Sequence, residues 1–135
     1  MKYEQIKQAN EAILTTDIQG KPYAEVNQRI KAFRMCYPDG LILTEMLSNE
    51  GGVAVFRATA FDKAGGAMLA TGHAYEKEGS TFINRTSYIE NCETSAVGRC
   101  LGLCGFGIDT SVASAEEVQN AMANQDRKSV VRERV

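Results

Sequence analysis

The chain has 135 residues, 44% of them hydrophobic and 24% charged, with a formal net charge of −2. That length fits one domain whose core needs neither a disulfide nor a metal, and that balance excludes a disordered chain. No run is long and apolar enough to span a bilayer, and a slightly acidic chain is not basic all over, so any surface for a polyanion has to be local.

Residues 3–14 space Tyr3, Ile6, Ala9 and Ile13 three or four apart, which predicts a short amphipathic helix. The opening MKYEQIKQANEAIL carries acids and amides where a secretion signal has an apolar stretch, an expectation of a cytoplasmic protein. A turn is expected over Asp17–Lys21, with Pro22 as the first residue of a second helix, PYAEVNQRIKAFRMCY. Its stripe is Tyr23, Val26, Ile30, Phe33 and Tyr37. Arg29, Lys31 and Arg34 are placed off the stripe, facing water or a partner. Pro38-Asp39-Gly40 stops the helix.

The next forty residues are β-like. LILTEMLS, GGVAVFRATAFD and GAMLATGHAYEKE are rich in Val, Ile, Thr and aromatics, and short glycine-bearing links between them predict an antiparallel meander. In the middle run Ala54, Phe56, Ala58 and Ala60 share an apolar face, suited to a helix; Val53, Val55, Arg57, Thr59 and Phe61 share the other. Ser87-Tyr-Ile-Glu90 reads as a capping box that starts a long helix near Tyr88, ended by Gly105 and Gly107. Ser114-Ala-Glu-Glu117 is a second capping box, opening a short helix to about Asn124. Residues 1–125 therefore form a single α+β domain, a three-stranded meander with a long helix on one face, preceded by two helices and followed by a short one. Residues 126–135, ending RKSVVRERV, read as a basic mobile tail.

Chemistry-bearing patterns are few. Cys36, Cys92, Cys100 and Cys104 form no C-x-x-C pair or zinc spacing and read as free thiols. The single histidine, His73, has no nucleophile placed beside it by the sequence, so no catalytic residue is expected. Glu76, Glu78, Glu90 and Glu93 are better explained by a helix dipole than by a metal, and none is assigned as a ligand. Gly98-x-x-x-Gly102 and Gly105-x-Gly107 do not follow a strand and open a helix, so no nucleotide cofactor is expected. What remains is a set of cations, Arg57, Lys77, Arg85 and Arg99, joined with Arg29, Lys31 and Arg34 into an expected basic groove. Tyr75, Phe82 and Tyr88 stand by as platforms for bases.

A meander leading into SYIENCETSAVGRCLGLCGFGID resembles the core of the single-strand annealing proteins, the phage Erf and Sak types and the eukaryotic Rad-type proteins of homologous recombination. Their long helix ends in a pattern like A-x-x-x-A-x-x-R-A-L-x-x-x-G, whose spacing is matched from Glu93 through Arg99 and Leu101 to Gly105. Gly72-x-Ala74-x-Glu76 resembles the end of that family's meander, and the likeness spans residues 22 to 110. It implies a non-enzymatic, phage- or prophage-derived protein that binds single-stranded DNA and anneals strands as a ring or filament, without a cofactor. It makes Arg99 the leading DNA contact. Arg57, Arg85, Lys77, Arg34 and Tyr88 are further candidates, placed by geometry. Single-stranded DNA, further copies of the chain, and replication or recombination proteins are the expected partners, and no membrane. An oligomer that captures an anionic small molecule or nucleotide signal is the alternative, and a structural accessory subunit a third reading.

Overall fold

The computed structural model describes residues 1–80, 84–109 and 111–133, with side chains as far as residue 125 in the last helix. Helix α1 (Tyr3–Glu11) leads into a hairpin of β1 (Thr15–Ile18) and β2 (Lys21–Ala24), then helix α2 (Val26–Cys36). Strands β3 (Leu41–Glu50), β4 (Val53–Phe61) and β5 (Met68–Lys77) follow. Helices α3 (Asn84–Leu103) and α4 (Ala115–Glu133) complete the chain. The sheet order is β3-β4-β5, antiparallel throughout, so the α+β meander with its long helix is the observed fold.

Four boundaries differ from expectation, the first being α1, which ends at Glu11 and not at residue 14. Pro22 does not begin α2; it pairs with Asp17 in the β1–β2 hairpin, where proline is tolerated because no ladder beyond that edge needs its missing N–H. Gln19 and Gly20, both at positive φ, turn this hairpin, with the Gly20 N–H donating to Asp17 Oδ1 at 2.9 Å. Helix α3 begins at Asn84, breaks at Ser87 (φ −127°, ψ 23°) and resumes where the capping box sets its start. Helix α4 opens on the second box, the Glu117 N–H donating to Ser114 Oγ at 3.3 Å, and continues past the expected end near Asn124 to Glu133.

The core lies between α3 and the sheet. Ala54, Ala58 and Ala60 are fully buried, with Phe56 beside them, under Cys92, Ala96, Cys100 and Leu101 of α3. Small residues let the two layers touch. A Cβ on Gly72 of β5 would collide with the Cys100 amide nitrogen and lie 2.7 Å from the Ala96 carbonyl oxygen. The cysteines work as small hydrophobes with weak donors. Cys92 Sγ donates to the Ala54 and Ala74 carbonyls and Cys100 Sγ to that of Ala70, each at 3.4 Å. Burial pushes the Cys92 thiol up to about 11, so it stays protonated.

The back of α3 packs on α2, and there the glycines have a different neighbour. A Cβ on Gly98 would sit 2.8 Å from Val26 Cγ2, and one on Gly102 would sit 2.9 Å from the Arg29 guanidinium. Arg29 is 0% exposed, which overturns the expectation that it faces water or a partner. Its NH1 donates to the carbonyls of Gly98 (2.7 Å) and Val112 (2.9 Å), and its NH2 to those of Gly107 and Ser111 (3.0 Å each). One side chain thus brackets α3 and the loop that follows it. Asn10 of α1 grips the same loop from the other side. Its Nδ2 donates to the Gly105 carbonyl and its Oδ1 accepts from the Gly107 N–H, both at 2.9 Å. Gly105 and Gly107 take φ of +104° and +70°, which turns the loop back over α2. The glycine-rich end of the long helix is therefore an internal seam.

Candidate nucleic-acid interface

Period-two alternation and the packing of Gly72 against α3 put the next residues of β5, His73, Tyr75 and Lys77, on the opposite face of the sheet. The contacts of α1–α3 fall on the core side, and this outer face carries exposed side chains: Leu43, Met68 and Tyr75 are 45%, 64% and 73% exposed. Register places Arg57 of β4 between Glu45 of β3 and His73 of β5, with Val55 and Tyr75 in the next row and Val53 and Lys77 after that. The outcome is an open platform. One edge strand offers an imidazole, a phenol ring and an ammonium in turn, with a guanidinium beside them.

The expected cations do not all join it. Arg57 is on the platform, its NH2 3.0 Å from Glu45 Oε2, with side chains 39% and 53% exposed. Lys77 is exposed at the end of β5. Arg99 lies past the free edge of β5, paired to Glu117 Oε2 at 3.2 Å, and lines a cavity shared with His73, Tyr75 and Lys77. Arg34 is elsewhere. It stacks over the Phe33 ring at 5.5 Å and donates to the carbonyls of Pro38 and Gly40, closing the end of α2. Arg85 is exposed on the first turn of α3, before the break at Ser87. Tyr88 packs against the core and exchanges hydrogen bonds with the Asn49 side-chain amide at 3.1 and 3.2 Å, so it braces the end of β3 and does not offer a free ring. Phe82 and the basic side chains of residues 127–134 lie outside the described residues. Arg29 is buried and Arg34 engaged locally, so neither joins the platform in the basic groove the sequence suggested.

Beneath the far end of β5 is a polar network that the sequence did not signal. Glu76, 8% exposed, accepts from Asn84 Nδ2 at 2.8 Å and from Asn120 Nδ2 at 3.1 Å, while Asn91 Nδ2 donates to Asn84 Oδ1 at 2.9 Å. These bonds tie the end of β5, the start of α3 and α4 together. Burial raises the pKa of Glu76, and the amide donors only partly oppose it. Glu117 is raised for the same reason, against the pull of Arg99. Glu116, one residue earlier, accepts the Val26 N–H at 3.1 and 3.2 Å, capping α2 where its own N-cap residue, Glu25, makes no side-chain cap.

Among the described residues no helix is long and apolar enough to cross a membrane, and no group of three or more His, Cys, Asp or Glu is placed to hold a metal ion. No curated protein and no solved structure gives a significant match to the chain. Residues 30–104, from α2 through the meander to the end of α3, match the family described as Slr1353 N-terminal dsRNA-binding domain-like. That match covers more than half of the 135 residues, and the chain belongs to this family.

Proposed function

We propose that this chain binds nucleic acid on the outer face of the β3-β4-β5 sheet, and that its activity is the annealing of single-stranded DNA in homologous recombination, as in the annealing proteins it resembles. The observation that carries the reading is the row His73, Tyr75 and Lys77 on the edge strand, with Arg57 alongside, on a face the described helices leave open. Single-strand binders combine cations that track the backbone with aromatic faces on which bases stack. The Arg57–Glu45 pair does not oppose this. Exposed ion pairs contribute about 0–1 kcal/mol, so a phosphate can take the carboxylate's place. The family description, with its reference to double-stranded RNA, supports a nucleic-acid ligand in general.

Annealing needs no bond made or broken in the nucleic acid backbone, and no nucleotide hydrolysis enters this account. Phosphates rest on Arg57 and Lys77 while unstacked bases remain free to find a complement. Strands β3 and β5 both end the sheet with an unpaired edge among the described residues, and pairing between copies of the chain would cover them and give the oligomer.

A second reading, double-stranded RNA, is favoured by the wording of the family description. The two part at Tyr75. Duplex RNA is recognised by shape, through phosphates and 2′-hydroxyls, whereas single strands stack on aromatic rings. Filter binding of the whole chain to a 30-nucleotide single strand and to duplex RNA of the same length, followed by a fluorescence assay of strand annealing, tests the proposal. Tighter single-strand binding with accelerated annealing supports it. Duplex preference with no annealing rejects it in favour of the second reading.

A further inference from the structure

Beyond the free edge of β5, a cavity of about 580 Å³ opens between that strand, α3 and α4. Tyr75 and Lys77 stand at its strand side, Ser95 and Arg99 come from α3, and Glu117 and Asn120 from α4. Two buried polar atoms of this wall have no hydrogen-bond partner among the described residues: Ser95 Oγ, in a residue 3% exposed, and Glu117 Oε1. Buried polar atoms are nearly always paired, and each left unpaired costs roughly 1–3 kcal/mol. Each has under 1 Å² of accessible surface, so a rotation of the Ser95 and Glu117 side chains toward the cavity is what lets a ligand there complete the bonding.

The chemistry of the wall narrows what that is. Glu117 accepts from Arg99 at Oε2 and has a second, unpaired oxygen in Oε1, so once turned to the cavity the pair offers an acceptor beside guanidinium donors, with the Ser95 hydroxyl in the same lining. A simple anion would meet the free carboxylate oxygen and be repelled. A divalent cation would find too few ligands, since both oxygens of Glu76 already accept from Asn84 and Asn120. A nucleobase edge, where an N–H donor stands next to an acceptor, satisfies both sides at once. Unstacked bases are held this way in single-strand complexes, by hydrogen bonds to their edges and by an aromatic or guanidinium face.

We propose that the cavity takes one unstacked nucleobase. The base sets its hydrogen-bonding edge on Glu117, Arg99 and Ser95, its face lies toward Tyr75, and its phosphate lies toward Lys77. The inference rests on the nucleic-acid reading for its ligand, and the base can come from a bound strand or from a free nucleotide.

The test uses the whole chain and four ligands: an oligothymidine, an abasic strand of equal length, and the free nucleosides guanosine and thymidine. Variants are Ser95→Ala and Glu117→Gln, together with Ala121→Trp, which fills the cavity from an exposed position one turn beyond Glu117 and leaves every polar group of the wall in place. The wild type should bind the base-bearing strand at least about tenfold tighter than the abasic one. Each variant, shown to be folded by circular dichroism, should lose the part of that preference that stacking on Tyr75 does not supply, read as a several-fold fall, while keeping its abasic-strand affinity; variants that keep the full wild-type preference overturn the pocket. Millimolar nucleoside should raise the melting temperature of the wild type only. Equal wild-type affinity for both strands overturns the base pocket and base stacking on Tyr75 together, and leaves only the phosphate contacts of Arg57 and Lys77. If neither strand binds at low salt, the nucleic-acid reading falls. The pocket then survives only if the nucleosides shift wild-type melting and the variants abolish the shift; an unchanged melting curve overturns it too.

Discussion

Replacing Arg29 by alanine should unlatch the rear of the long helix. The guanidinium makes four hydrogen bonds of 2.7 to 3.0 Å to backbone carbonyls, two of them in the loop after Gly107. Hydrogen bonds involving a charged group contribute about 1.5–3 kcal/mol each, but burying the cation subtracts several kcal/mol for its lost hydration. Removing one member of such a buried arrangement typically costs about 3–5 kcal/mol, against a total stability of roughly 5–15 kcal/mol for a domain. For a chain of this length each kcal/mol moves the melting temperature by roughly 3–5 °C, so a fall of roughly 10–25 °C is expected by calorimetry. Arg29→Lys should recover less than half of it, because a compact ammonium cannot reach carbonyls on both α3 and the loop as a planar fork does. A melting temperature for Arg29→Ala within about 4 °C of wild type, roughly 1 kcal/mol, would refute the bracket. So would full rescue by lysine.

Other outcomes follow from the same geometry. Gly72→Ala pushes a methyl group into the backbone of α3 at Cys100 and Ala96, and should destabilise by about 1–3 kcal/mol or more in urea titration; an unchanged midpoint would show that helix and strand are not held so close. Glu76 and Glu117 both have pKa values raised in the folded state, so the folded chain binds more protons than the unfolded one as pH falls toward 4.5. Their contribution to stability therefore grows as pH falls toward that value and is lost again as pH rises through the folded pKa; Glu76→Gln should flatten the dependence of the urea midpoint on pH between 7 and 4.5 relative to wild type, and parallel profiles over that range would contradict it. Tyr75→Ala should weaken single-strand binding by about 1–3 kcal/mol, roughly 5- to 150-fold, with the melting temperature unchanged because the ring is exposed. Tyr88→Phe should leave strand affinity alone and cost only the bonds to Asn49, read as a small loss of stability.

The meander was legible because its signals are local. Alternation in Val53–Phe61 separates a face of alanines and Phe56 from one carrying Arg57, and the glycine-bearing links fix antiparallel order. The burial of Ala54, Ala58 and Ala60 under α3 follows directly. Arg29 is buried where its charge predicts exposure, because position on the helix outweighs residue type. It stands three residues after Val26 and four before Phe33, on the buried stripe itself, and that spacing was the available signal. The hairpin at Thr15–Ala24 is not legible from residue types, because proline suits the first turn of a helix as well as an edge strand. Its turn, Gln19-Gly20, was still visible.

Of the six residues singled out for DNA contact, Arg57 and Lys77 lie on the platform and Arg99 on the cavity past its edge. Arg34 and Tyr88 are taken up by local structure, and Arg85 is exposed on the first turn of α3. No pattern of residue types could separate these sets, because the difference lies in which side of which element each Cβ leaves. The network of Glu76, Asn84, Asn91 and Asn120 joins residues up to 44 positions apart and has no local signature at all.

The most direct test of the platform is the affinity for a labelled single strand measured by anisotropy from 50 to 300 mM salt, in wild type, Arg57→Ala and Lys77→Ala. Log affinity should fall linearly with log salt, and each substitution should reduce the slope by about 0.7, the amount expected for one phosphate contact on a single strand. A flat wild-type line, or variants whose slopes equal that of the wild type, would contradict a nucleic acid lying on this face.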